Sequence, residues 1–163
     1  MNSFFAQIRR LYAWGVRAAS SLQSPFLLFV RLYWGWQLIQ SGWGKLHNLQ
    51  KVTDFFTSLN LPLPGQMAVF ISCIEFFGGI LLVLGLLSRL NALVLVVNLI
   101  MAYITADREA LLSFFSDPDK FSAAAPYVFL IASLLILIFG PGLFSLDTLL
   151  LRRYPHPAAT SAR

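Results

Sequence analysis

QMAVFISCIEFFGGILLVLGLL, residues Gln66 to Leu87, decides the fold class. Apart from Gln66, Ser72 and Glu75 it is built of apolar residues and glycine. About 20 such residues, rising about 1.5 Å each, cross a hydrocarbon core of about 30 Å. Glu75 sits near the middle of the run, where an ionised side chain costs at least about 2.5 kcal/mol. The acid must therefore face protein, find a partner or take up a proton, and its surroundings frame the question of function.

The rest of the chain has the same character. Hydrophobic residues make up 58% and charged residues 12%, with a mean hydropathy of +0.71, which leaves too few polar groups to cover a water-facing surface. The 163 residues have room for about four helices of membrane-crossing length and for no second soluble domain. Hydropathy and breakers place the spans at Pro25 to about Asn48, Gln66 to Leu87, Leu90 to Ala106, and Pro126 to about Phe139. Leu87-Ser88-Arg89-Leu90 forms a tight hairpin, whereas the opposite connections, Leu49 to Gly65 and Asp107 to Ala125, are longer. In the second of these, Leu111, Leu112, Phe114 and Phe115 suggest an interfacial or partly re-entrant segment.

Charge asymmetry sets the expected orientation. Arg9, Arg10, Arg17, Arg89, Arg152, Arg153 and Arg163 fall on one side, and Lys45, Lys51, Arg108 and Lys120 on or near the other. The positive-inside rule then puts both termini and the short hairpin in the cytoplasm. A pI near 9.8 reads as topology and attraction to anionic lipid, not as nucleic-acid binding, for which no module is visible. Arg9, Arg10 and Arg17 interrupt the amino-terminal stretch before a signal-peptide core forms, so the stretch is expected to be retained. Phe4, Ile8, Leu11, Gly15, Ala18 and Leu22 recur at helical spacing within it. The expected fold is therefore all-α: an integral membrane four-helix bundle with an amino-terminal amphipathic interfacial helix. Residues 1–24 form that helix, 25–150 the four-span domain and 151–163 a polar cytoplasmic tail. The helix serves as an anchor or as a docking surface for a soluble partner.

Several chemistries are excluded. Cys73 has no companion, so there is no intramolecular disulfide and no dithiol relay, and packing is its expected role. His47 and His156 lie far apart without the spacing of a metal centre, and neither a nucleophilic triad nor a phosphate-binding glycine loop is present.

What remains is a polar seam. Ala68, Ser72, Glu75 and Gly79 share one face of the second span, and small residues of this kind let membrane helices approach closely. Arg31, Gly35, Leu38, Gly42 and Lys45 form a stripe on the first span, flanked by Gln37, Ser41 and Asn48. Asn91, Asn98 and Thr105 recur at sevens on the third. Depth along the helices places Arg31 or Asn98 within reach of Glu75 and Lys45 nearer the outer face. Two accounts stay open: a buried Arg31/Glu75 pair that fixes helix register, or a pocket open to the outer side in which Glu75 accepts a proton or a hydrogen bond from a ligand. Trp34, Trp36 and Trp43 either wall such a pocket or anchor the interface.

Arg31 with Gly35, Ser41-Gly42-Trp43-Gly44-Lys45, the Leu61-Pro62 loop, Glu75 with Phe77-Gly78-Gly79, Gly85-Leu86-Leu87-Ser88-Arg89, and Gly140-Pro141-Gly142 ahead of Ser145-Leu146-Asp147 together resemble the DoxX family over about residues 26 to 150. The resemblance implies a four-helix bundle of the bacterial inner membrane, related to the DoxD subunit of thiosulfate:quinone oxidoreductase. It implies family-type polar positions at Arg31, Lys45, Glu75 and Arg89, with Gly42, Gly79, Gly140 and Asp147 as motif residues. It further associates the chain with quinone-linked electron transfer and with membrane complexes of redox-detoxifying proteins. The sequence shows no haem or flavin signature, so electrons would come from a partner or a bound quinone.

The leading expectation is an accessory membrane subunit of a redox or oxidative-stress system, not catalytic alone. It would dock a redox protein and bind quinone in a seam of Glu75, Arg31, Asn98, Lys45, Gln37 and Ser41, with Arg31 as the countercharge to Glu75. Two other classes stand beside it. One is a small-solute or proton-coupled transporter, for which a homo-oligomer would supply additional spans; the other is a structural scaffold or assembly factor with no ligand.

Overall fold

The computed structural model describes residues 2–153. Within them the chain is all-helical: α1 Asn2–His47, α2 Leu49–Ser58, α3 Pro64–Leu84, α4 Ser88–Thr105, α5 Arg108–Leu112, α6 Pro118–Ala123, α7 Pro126–Phe139 and α8 Leu146–Arg153. The tail from residue 154 with His156, and the side chains of Phe4, Ile8, Leu11 and Ala18, lie outside the described residues.

Local chemistry sets the helix ends. Pro64 opens α3, where its fixed φ suits a first turn and its missing N–H costs nothing. Gly85, at φ +66°, closes the helix by donating its N–H to the Leu81 carbonyl (2.9 Å). Three residues later α4 begins. Its first orphan donors, the N–H groups of Leu87 and Ser88, both reach the Asp147 carboxylate at 2.8 Å, so a side chain 59 or more positions away caps the helix. Pro126 opens α7, and Gly140 at φ +79° ends it.

α1 packs against α3, α3 against α4, α4 against α7, and α7 returns to α1, while α2 lies on α3. Leu27, Leu38, Leu82, Leu95 and Ile136 fill the centre. The outward faces are apolar as well: Phe29, Trp36, Phe70, Val97, Ile104 and Ile138 are all exposed. Apolar surface this continuous is matched to lipid, not to water. α3 and α4 are long and apolar enough to cross a membrane, and α7 is apolar but shorter, at 14 residues.

The structure departs from the sequence expectation in its connections. α1 runs through Pro25 without interruption, so the stretch up to residue 24 and the first expected span are one helix. Tyr12, Trp14 and Val16 are exposed on it. The connection after Asn48 is mostly helix α2, the second long connection contains α5 and α6, and α8 precedes the tail.

Candidate functional site

The site is created by how closely α1 and α3 approach. A Cβ on Gly79 would lie 2.8 Å from the Gly35 carbonyl oxygen and 2.8 Å from the Ile39 nitrogen, and one on Gly42 would run into the backbone of Phe76. Only hydrogen at these positions permits the contact. On α3 the face toward this contact is Ala68, Ser72, Glu75 and Gly79, all buried, so the acid points into protein. On α1 the same approach brings Ser41 and Lys45 opposite it.

Glu75 is 6% exposed and doubly bonded. The Ser41 hydroxyl donates to its Oε2 at 2.9 Å, and the Lys45 ammonium pairs with its Oε1. Lys45 keeps about a third of its side chain exposed, while Glu75 is nearly enclosed, so the carboxylate depends on its partners more than the ammonium does. This corrects the expected pairing with Arg31. Two turns along α3, Arg31 is 1% exposed and donates to four backbone carbonyls: Leu82 (2.9 Å), Val83 (2.8 Å), Pro141 (2.8 Å) and Phe144 (2.9 Å). Its planar fork satisfies the C-terminal carbonyls of α3 and ties them to the loop after α7, a task suited to five fixed donors. Burial without a directly paired carboxylate is tolerable for the cation because the helix C-terminus supplies partial negative charge and the Asp147 carboxylate acts on it from nearby.

A cavity of about 520 Å³ adjoins the ion pair. Leu38, Phe56, Ile71, Leu99 and Phe129 supply apolar wall, and Ser41, Lys45, Glu75, Asn98, Thr105 and Asp107 the polar part. The remaining expected residues are distributed as follows. Asn98 is half-buried in this wall, whereas Gln37, also half-buried, is outside it. Asn91 donates to the Gly78 carbonyl at 2.9 Å and binds α4 to α3. Arg89 is exposed near Gly140, at the same end as Arg31 and Asp147. The expected seam is thus two separate clusters: Ser41, Lys45, Glu75 and Asn98 around the cavity, and Arg31 with Asp147 and Gly85 at the opposite end. The tryptophans do not wall the cavity: Trp34 packs edge-on against Phe129, and Trp36 and Trp43 are exposed. Phe55 and Phe56 of α2 and Asp107 are cavity residues that sequence reasoning missed. Val52, Phe56 and Leu59, at i, i+4 and i+7, were the available signal for α2.

The DoxX family model matches residues 26–108, which include Arg31, Gly42, Lys45, Glu75, Gly79 and Arg89. The chain belongs to the DoxX family. The family is membrane-associated, in keeping with the two long apolar helices. Gly140 and Asp147 lie beyond the matched segment. The chain is also similar to a Bacillus subtilis (strain 168) protein called "Putative oxidoreductase CatD", with 29% identity over 120 residues, 74% of this chain and 83% of that protein. No solved structure matches it significantly.

Proposed function

We propose that this DoxX-family protein is an accessory subunit of a redox or oxidative-stress system in the bacterial inner membrane, and that its cavity binds a quinone. The observation that carries the reading is the apolar cavity with a buried, doubly bonded Glu75 in its wall. At about 520 Å³ it falls in the range of small-molecule sites, which join apolar walls to a few placed polar groups. The residues fit a quinone: Phe56, Ile71 and Phe129 would hold the ring and the start of the tail. Lys45 has donors beyond the one given to Glu75, and the Asn98 amide has two, for ring carbonyls. A bound quinone would carry electrons and protons between partners. Glu75 holds the ammonium in place and can exchange a proton at its carboxylate, while the apolar wall excludes water.

In this reading α1 from Pro25, with α3, α4 and α7, forms a four-helix membrane bundle with both termini cytoplasmic. The exposed aromatic residues of the amino-terminal part of α1 meet the bilayer surface or a redox partner. The oxidoreductase name of the Bacillus subtilis relative supports a redox setting. Purification from native membranes followed by lipid extraction tests the proposal. Quinone is expected with the wild-type protein and depleted with Glu75→Gln; its absence from the wild type removes the ligand.

A scaffold reading has one observation in its favour, since the Lys45–Glu75 pair also clamps α1 to α3. It predicts that Lys45→Met/Glu75→Gln retains cellular function although Lys45→Met loses it. The quinone reading predicts loss in the double variant as well.

A further inference from the structure

The charge inventory of the cavity carries a prediction about what it refuses. Among the described residues its charged wall groups are Lys45, Glu75 and Asp107. The first two neutralise each other, which leaves Asp107 as the net charge of the wall. Asp107 stands at the N-cap position of α5, where such residues ordinarily spend their carboxylate on the helix, yet its side chain makes no capping hydrogen bond. It is half-buried in the cavity wall beside Thr105. Of the basic residues in the outer connections, Arg108 and Lys51 are exposed and outside the wall, and Lys120 is paired with Glu109 at 3.0 Å.

We infer that the cavity accepts uncharged or cationic amphiphiles and rejects their anionic counterparts, with Asp107 as the residue that sets the selection. An anion entering the cavity has two courses. It either takes Lys45 from Glu75, leaving a nearly enclosed carboxylate without its countercharge, or it remains unmatched among two carboxylates. A neutral carbonyl needs neither, because the ammonium has donors to spare. A cationic head gains the Asp107 carboxylate. Like charge in a partly buried site is weakly screened by salt, so the discrimination persists at ordinary ionic strength.

This inference rests on the proposed ligand cavity, and the experiment separates the two. The full chain in nanodiscs of zwitterionic lipid, which impose no surface charge of their own, is titrated with 2-methyl-1,4-naphthoquinone and with its sulfonate and trimethylammonium derivatives. Tryptophan quenching is read against empty discs. The neutral and cationic probes are expected to bind at least about tenfold more tightly than the sulfonate, and Asp107→Asn is expected to reduce the neutral-to-anionic ratio by about tenfold. Asp107→Glu should restore the ratio. Equal binding of the sulfonate by the wild type, or a ratio unmoved by Asp107→Asn, overturns the selection and leaves the cavity standing. If no probe binds, the cavity reading falls and the selection with it.

Discussion

Replacement of Arg31 by methionine tests the structural half of the account. The guanidinium makes four bonds to carbonyl oxygens, one of them buried, to Leu82, and three partly buried, to Val83, Pro141 and Phe144. Methionine fills much of the volume and removes the cost of burying a charge, so the loss is chiefly that of stranded acceptors. A buried unsatisfied carbonyl costs about 1–3 kcal/mol, and each of the others about 1 kcal/mol once water reaches it, which totals about 4–6 kcal/mol. That is a large part of the 5–15 kcal/mol typical of a whole domain. Lysine should recover less than half, because donors at one point do not span carbonyls on α3 and on the loop after α7. Unfolding by sodium dodecyl sulfate in mixed micelles, followed by circular dichroism, reads these differences. A cycle with Glu75→Gln should show coupling below about 0.5 kcal/mol, since Leu82 and Glu75 are separated by about 10 Å along the helix. An Arg31→Met protein within about 1 kcal/mol of wild type, or Arg31–Glu75 coupling above about 1 kcal/mol, refutes the reasoning.

Other expectations follow from the same contacts. Lys45→Met leaves the Glu75 carboxylate enclosed and uncompensated and should cost about 3 kcal/mol or more, whereas Lys45→Met/Glu75→Gln should be more stable than Lys45→Met alone; the same unfolding assay checks the order. Asp147→Ala removes the acceptor of two N–H groups at the start of α4 and should cost about 1–2 kcal/mol, with Asp147→Asn intermediate. Gly42→Ala drives a methyl into the Phe76 backbone and should destabilise by about 3 kcal/mol, while Gly44→Ala, two positions away in open space, should be neutral or stabilising by about 0.5–1 kcal/mol; paired melting curves in detergent decide it.

Much of this architecture was legible in the chain. The apolar run from Gln66 to Leu87 reads as α3 within a few residues at each end, because length and hydropathy suffice for a helix of that kind. The stripe Ala68, Ser72, Glu75, Gly79 identifies the buried face, since small residues mark close approach. Partner choice was less legible. Arg31, Lys45 and Glu75 all face the α1–α3 contact, and periodicity assigns a face without saying which long side chain turns toward which end. Arg31 turned to the carbonyls that end α3, an acceptor set with no signature in side-chain composition. The Asp147 cap joins residues 59 or more positions apart, and no local pattern reports it. α2 escaped notice because Gln50, Lys51, Thr53 and Asp54 dilute its hydropathy and Pro62 and Pro64 follow closely, although its apolar face packs on α3 and closes one side of the cavity. Asp107 stands in the sequence at the start of a long connection, and only the meeting of α4 and α5 places it at the cavity.

The claim that the space beside Glu75 is a ligand site is tested most directly by ligand-induced stabilisation with the cavity open and filled. Ala102, an α4 residue of the cavity wall, is replaced by phenylalanine to occupy part of the 520 Å³. Melting is then followed in nanodiscs with a short-tailed quinone. At a concentration 100 times its Kd, the quinone should stabilise the wild type by about 2.7 kcal/mol, and this gain should vanish in Ala102→Phe and shrink in Glu75→Gln. Stabilisation that survives a filled cavity, or a wild-type protein that gains nothing, would contradict the account.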